Sequence, residues 1–202
     1  MTGRDAPPPT KIMLIRHAEK PPNSPNKSGP WDIKEDGTSG KGHSLIVAGW
    51  ERAGALIGFF APYKTVPAKS KIATPDYIYA SNPKGETERP CETVTPLARW
   101  LKYAPGSSRL NLSYDIDKDE EKLADDVLQH PGSVLICWEH NNIIKIVGKI
   151  NEKYPISNYE ELKKHPWPDI FNLVWVLDYD HKQNQYTWTH THQHLMPDDI
   201  KE

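Results

Sequence analysis

The sequence has only two cysteines, Cys91 and Cys137, too few for a disulfide framework. It has no apolar run near the ~18 residues that span a bilayer. Its opening Met-Thr-Gly-Arg-Asp-Ala-Pro-Pro-Pro-Thr lacks the apolar core of a secretory leader. An excess of charge is missing too: 25 Lys and Arg against 27 Asp and Glu give a formal net charge of -2. That balance leaves no basic footprint for nucleic acid or an acidic membrane. These absences lead us to expect a reduced, soluble, cytoplasmic protein with neither nucleic-acid nor membrane partners. Hydrophobic residues are scarce at 37%, mean hydropathy is -0.71, and 19 prolines imply much loop. Seven tryptophans and nine tyrosines nevertheless argue for a packed body, and 202 residues suffice for one domain with its own core.

The apolar pattern alternates between strand and helix. After a flexible, proline-rich tail at 1–10, residues 11–15 read as a buried strand that ends in Arg16-His17. Residues 21–42 are rich in Pro, Asn, Ser, Gly and Lys around Trp31; so long a loop directly after His17 is expected to be an active-site lid. A helix capped by His43 or Ser44 runs to about Phe60, with Leu45, Ala48, Ala53, Leu56 and Phe60 at helical spacing. Residues 77–80 form a second strand opening into a turn-rich loop that bears Arg89. Residues 92–103 read as a helix despite Pro96, 109–112 as a third strand and 119–129 as a helix. Residues 133–138 give the strongest buried-strand signal, end in Glu139-His140, and lead into a helix at 141–154. Residues 172–178 and 185–191 alternate around a turn and read as a hairpin. This order predicts an α/β protein: a three-layer sandwich with a mostly parallel central sheet, helices on both faces and an antiparallel edge hairpin, in one domain over 11–202.

If the first, second and fourth strands are neighbours, Arg16, His17, Arg89, Glu139 and His140 converge at the carboxyl rim of the sheet, where α/β folds bind ligands. Two guanidiniums in one pocket suit an oxyanion, most commonly phosphate. A neutral imidazole beside them can attack phosphorus and form a covalent phosphohistidine, splitting one hard displacement into two easier ones.

In these residues the chain resembles the histidine phosphatase superfamily, with its phosphoglycerate-mutase-like fold. The family's strand followed by Arg-His-Gly or Arg-His-Ala and Glu is matched by Leu14-Ile15-Arg16-His17-Ala18-Glu19. Its Leu-x-x-x-Gly-x-x-Arg-Ala helix is matched by Leu45, Gly49, Arg52 and Ala53, and its second-arginine region by Ala80-Ser81-Asn82-Pro83, Arg89 and Glu92-Thr93. The resemblance covers residues 11 to about 150. It implies His17 as nucleophile, Arg16 and Arg89 as the phosphate clamp, and His140 as a further hydrogen-bond donor. It implies no metal and no cofactor, and a small phosphorylated molecule as substrate. Two family alternatives stay open: a mutase-type phosphotransferase, disfavoured by the lack of a long insertion, and a non-catalytic module binding phosphorylated ligands.

The proton donor for the leaving group is the role the motifs leave open. Acid-phosphatase relatives carry Asp directly after the second histidine, whereas this chain has Asn141. Glu139 ranks first, with Asp115, Asp117 and Asp119 as loop candidates. Lys20 reads as a solvated lysine and both cysteines as packing residues. His190, His192 and His194 alternate along the hairpin and would share one strand face, where a transition metal could bind.

Overall fold

The computed structural model describes residues 7–22, 31–63 and 70–199; residues 1–6 of the expected tail and 23–30 of the expected lid lie outside them. The frame is set by two strands that are apolar on both faces. In β1 (Lys11–Arg16), Ile12 and Leu14 point into one core cluster and Met13 and Ile15 into the other. In β4 (Ser133–Trp138), Val134, Ile136 and Trp138 face the first cluster, and Leu135 and Cys137 the second. A strand buried on both sides needs a continuous apolar run, which both sequences supply.

The remaining elements are α1 (Val47–Phe60), β2 (Tyr77–Ser81), α2 (Arg89–Trp100), β3 (Leu110–Tyr114), α3 (Glu120–Val127), α4 (His140–Lys153), α5 (Tyr159–Leu162), β5 (Leu173–Asp180) and β6 (Gln185–His192). Among the described residues the sheet has six strands in the order β3-β2-β4-β1-β5-β6. β1, β4, β2 and β3 pair in parallel; β5 runs antiparallel to β1, and β6 antiparallel to β5. Leu56 and Phe60 of α1 pack with Val94 and Leu97 of α2 on one face. Leu123 and Val127 of α3 and Ile143, Ile146 and Ile150 of α4 cover the other. The three-layer sandwich with its antiparallel edge hairpin is therefore the observed architecture. No helix among the described residues is long and apolar enough to cross a membrane.

Several boundaries differ from expectation for definable reasons. The first helix begins at Val47 rather than at a cap on His43 or Ser44, because the preceding amides are engaged elsewhere. Gly42 N and Ser44 N donate to Asp32 Oδ2 at 2.8 and 2.9 Å, Leu45 N donates to Glu92 Oε2 at 2.9 Å, and Ile46 N to the Glu19 carbonyl at 3.1 Å. α2 starts at Arg89, three residues early, since Pro90 sits in the first turn where its missing N–H costs nothing. α5 was not anticipated; a four-residue turn is too short to show a helical period. Residues 31–42 are tied down by Asp32, by an Ile33–Ser39 bridge and by Trp50 Nε1 donating to the Ile33 carbonyl at 2.7 Å. Trp31 itself is 68% exposed.

Candidate active site

Register brings the expected residues to one rim. Arg16 lies opposite Trp138 and Ala80 opposite Cys137, so β1, β2 and β4 reach their carboxyl ends together. The backbone N–H of His17 donates to the Trp138 carbonyl at 3.1 Å. Arg16 is only 2% exposed and its guanidinium lies 4.2 Å from the centre of the Phe171 ring. Nη1 donates to Asp169 Oδ1 at 2.6 Å and to the Ile170 carbonyl at 3.4 Å, while Nε is buried with no hydrogen-bond partner among the described residues.

His17 is buried with Nδ1 2.7 Å from the Ala18 carbonyl oxygen. A carbonyl can only accept, so the tautomer assigned by this contact carries its proton on Nδ1 and keeps the lone pair on Nε2. Burial pushes the imidazole pKa down to about 3; the Ala18 carbonyl opposes the shift, and Arg16, Arg89 and Lys20 reinforce it. At neutral pH the ring is uncharged. Burial and the two arginines also lower the Lys20 pKa, which places this lysine within the same positive field.

The motif residues around His17 act as a scaffold. Ala18 N donates to Thr93 Oγ1 at 2.8 Å, and that hydroxyl donates to the Arg89 carbonyl at 2.8 Å. The turn after His17 is thereby fastened to the helix that carries Arg89. Glu19 Oε1 accepts from Arg52 Nε and Nη2 at 2.9 and 2.7 Å; Arg52 also reaches Gln193 Oε1 at 3.1 Å and Asp199 at 2.6 Å. A Cβ at position 49 would lie 2.5 Å from the Glu19 carbonyl, so only glycine lets α1 pass this close. Arg89, the first residue of α2, aims its guanidinium at the Ser44 carbonyl, with Nε 3.4 Å away, and at the Gly42 carbonyl through Nη2.

On the opposite side, His140 opens α4 and Glu139 caps it. Burial and Arg16 lower the His140 pKa, partly offset by Glu139 and Asp169. His140 Nδ1 lies 2.7 Å from Glu139 Oε1 but is poorly aligned for a hydrogen bond, so the contact is chiefly coulombic. Both oxygens of Glu139 are engaged at the helix start: Oε2 accepts from Asn141 N at 2.8 Å and Oε1 from Asn141 Nδ2 at 3.0 Å. The loop candidates face other partners. Asp115 accepts from Asn82 Nδ2 at 3.0 Å, Asp117 pairs with Lys145 at 2.6 Å and Asp119 with Lys122 at 2.7 Å.

Two residues at the rim were not singled out from the sequence, Asp169 and Phe171. The hairpin strand that meets β1 runs antiparallel, with Val174 opposite Ile15, so the residues entering β5 arrive beside Arg16. The one available signal was the polar, proline-containing connection leading into that strand, which shows its importance only once its neighbour in the sheet is known. His190, His192 and His194 follow one another at ring separations of 6.1 and 5.7 Å, but no group of three or more His, Cys, Asp or Glu among the described residues could hold a metal ion. Cys91 and Cys137 are free thiols that burial holds in the protonated form.

No family model matches the chain, and no curated protein matches it. Solved structures similar to it include the following two. One, assigned as the phosphohistidine phosphatase SixA of Agrobacterium tumefaciens, is 19% identical, with a TM-score of 0.47 over 91% of this chain and 96% of its own. The other, a phosphoglycerate mutase from Plasmodium falciparum, is 14% identical, with a TM-score of 0.45 over 95% of this chain and 97% of its own. Likeness at that distance assigns no role to any residue here.

Proposed function

We propose that the chain is a phosphatase of the histidine phosphatase type, hydrolysing a phosphate monoester or phosphoanhydride through a covalent intermediate on His17. The observation that carries this reading is the state of His17: a buried, neutral imidazole with its proton held on Nδ1, set in the combined field of Arg16, Arg89 and Lys20. A positive pocket draws in a phosphoryl dianion, and a neutral ring with a free Nε2 lone pair attacks it. The buried Nε of Arg16, without a hydrogen-bond partner among the described residues, is a further donor that a phosphoryl oxygen would satisfy.

The attack begins at His17. Nε2 forms a bond to phosphorus, the bond to the leaving oxygen breaks with its electron pair, and the guanidiniums of Arg16 and Arg89 take up the charge on the equatorial oxygens. Water then attacks the phosphohistidine, the P–N bond breaks and the pair returns to Nε2. His140 adds a hydrogen bond to the phosphoryl group. Every step is supplied by side chains, with no metal and no cofactor.

The test is turnover of p-nitrophenyl phosphate by the wild type and two variants. His17→Ala is expected to abolish hydrolysis; Arg89→Ala, which removes charge stabilisation from the pocket, is expected to lower kcat/KM by about 10²-fold or more. Hydrolysis that survives His17→Ala would remove the nucleophile and with it the proposal.

A further inference from the structure

We propose that Asp169 is the proton donor of this site, a carboxylate seated on Arg16 until the substrate's phosphate takes its place. The inference rests on the phosphatase reading above and names a residue that the family motifs do not supply.

Placement carries it. Asp169 Oδ1 lies 2.6 Å from Arg16 Nη1, where an oxygen of a bound phosphoryl group would hydrogen-bond. The guanidinium is buried, but the Asp169 side chain is 88% exposed, so one oxygen of a surface carboxylate reaches inward. Its hydrogen bond runs to Arg16, so release of this exposed side chain breaks that contact and unpacks little. The alternatives are less free. Glu139 holds the first turn of α4 with both oxygens, and Asp117 and Asp119 are paired with lysines.

The exchange also sets the protonation state. While Asp169 sits on Arg16, that guanidinium holds its carboxyl below the usual carboxylate range, with His140 and Lys20 adding to the effect. A phosphoryl dianion bound to Arg16 removes the nearest cation and adds a neighbouring anion, and both changes raise the carboxyl's proton affinity. The carboxyl then takes a proton from solvent. As His17 Nε2 bonds to phosphorus and the P–O bond breaks, that proton passes to the leaving oxygen, which departs as the alcohol. In the second half, the Asp169 carboxylate accepts a proton from the attacking water, so the cycle consumes one ester and one water and yields alcohol and phosphate.

Two measurements on Asp169→Ala must move in opposite directions. Titration of inorganic phosphate into the intact protein at pH 7, read by calorimetry, is expected to show binding about threefold or more tighter, because an internal competitor for Arg16 is gone. Meanwhile kcat/KM for glycerol phosphate, a poor leaving group, is expected to fall about 10²-fold or more, and that for p-nitrophenyl phosphate by a much smaller factor. Asp169→Asn is expected to show the same leaving-group split. Phosphate affinity that stays unchanged or weakens, or equal losses on the two esters, would overturn the proposal. The phosphate titration needs no turnover, so it remains readable if the phosphatase reading itself fails.

Discussion

Removing the Arg52 side chain probes the scaffold beneath the site. Arg52 is 3% exposed and donates to two carboxylates, Glu19 and Asp199, whose side chains are 17% and 6% exposed, and to Gln193. In Arg52→Ala two largely buried carboxylates lose their one shared cation. Breaking a buried pair in this way typically costs about 3–5 kcal/mol, because the remaining charge is left uncompensated. With a urea dependence of about 2–3 kcal/mol per molar for a domain of this size, the unfolding midpoint at pH 7 should drop by roughly 1–2 M. The deficit has a defined pH dependence. Burial alone would raise the Asp199 pKa, but hydrogen bonds from Arg52 and from the Met196 and Leu195 amides outweigh it and hold the carboxyl below its usual value. A depressed folded-state pKa means stability that is present above the unfolded pKa and lost as pH falls through the folded one. The gap between wild type and variant should therefore be widest near neutral pH and narrow below about pH 4. Urea melts read by tryptophan fluorescence at pH 7 and at about pH 3 give both numbers. A loss under 1 kcal/mol at pH 7, or a gap that widens on acidification, would refute the reasoning.

Other substitutions separate scaffold from chemistry. Gly49→Ala sets a methyl group 2.5 Å from the Glu19 carbonyl, where only backbone can yield; a loss of about 1–3 kcal/mol is expected in thermal melts, with reduced activity because the shifted turn follows His17. Thr93→Val leaves the buried Ala18 N–H without its acceptor at 2.8 Å, for an expected cost of about 1–3 kcal/mol and a fall in kcat larger than any change in KM. The His17 pKa, driven down to about 3, implies that kcat/KM between pH 5 and 8 shows no limb from titration of this ring; a limb in that range that persisted in a His140 variant and vanished in a His17 variant would contradict it. Because the unfolded chain takes up a proton near pH 6.5 that folded His17 refuses, His17 makes stability fall as pH drops from about 6.5 toward 3, and His17→Phe should flatten that part of the stability curve.

The architecture was legible wherever burial forces a periodic pattern. Ile12 to Ile15 and Val134 to Trp138 are apolar without interruption because both sheet faces are covered, and their order with α1 to α4 fixed the class. Helix starts were less legible, since Ser44 looks like a capping residue but donates its amide to Asp32, twelve residues away in sequence. At the rim, Arg16, His17, Glu139 and His140 were legible because each ends a strand or opens the next helix, which is a local property, whereas Arg89 was expected in a loop and drew notice through the motif around it. Asp169 was missed because its importance comes from sheet order: only the pairing of β5 against β1 brings residue 169 to residue 16. Glu139 illustrates the complementary limit, for its adjacency to His140 was readable, whereas its engagement with both nitrogens of Asn141 required coordinates.

The central claim is that His17 forms a bond to phosphorus. The most direct measurement mixes the protein with a phosphate monoester, quenches it in alkali within the first turnovers and maps the phosphate by peptide mass spectrometry. The account predicts an alkali-stable, acid-labile phosphate on the peptide containing His17, absent from His17→Ala. Steady hydrolysis with no phosphorylated His17, or phosphate trapped on another side chain, would contradict it.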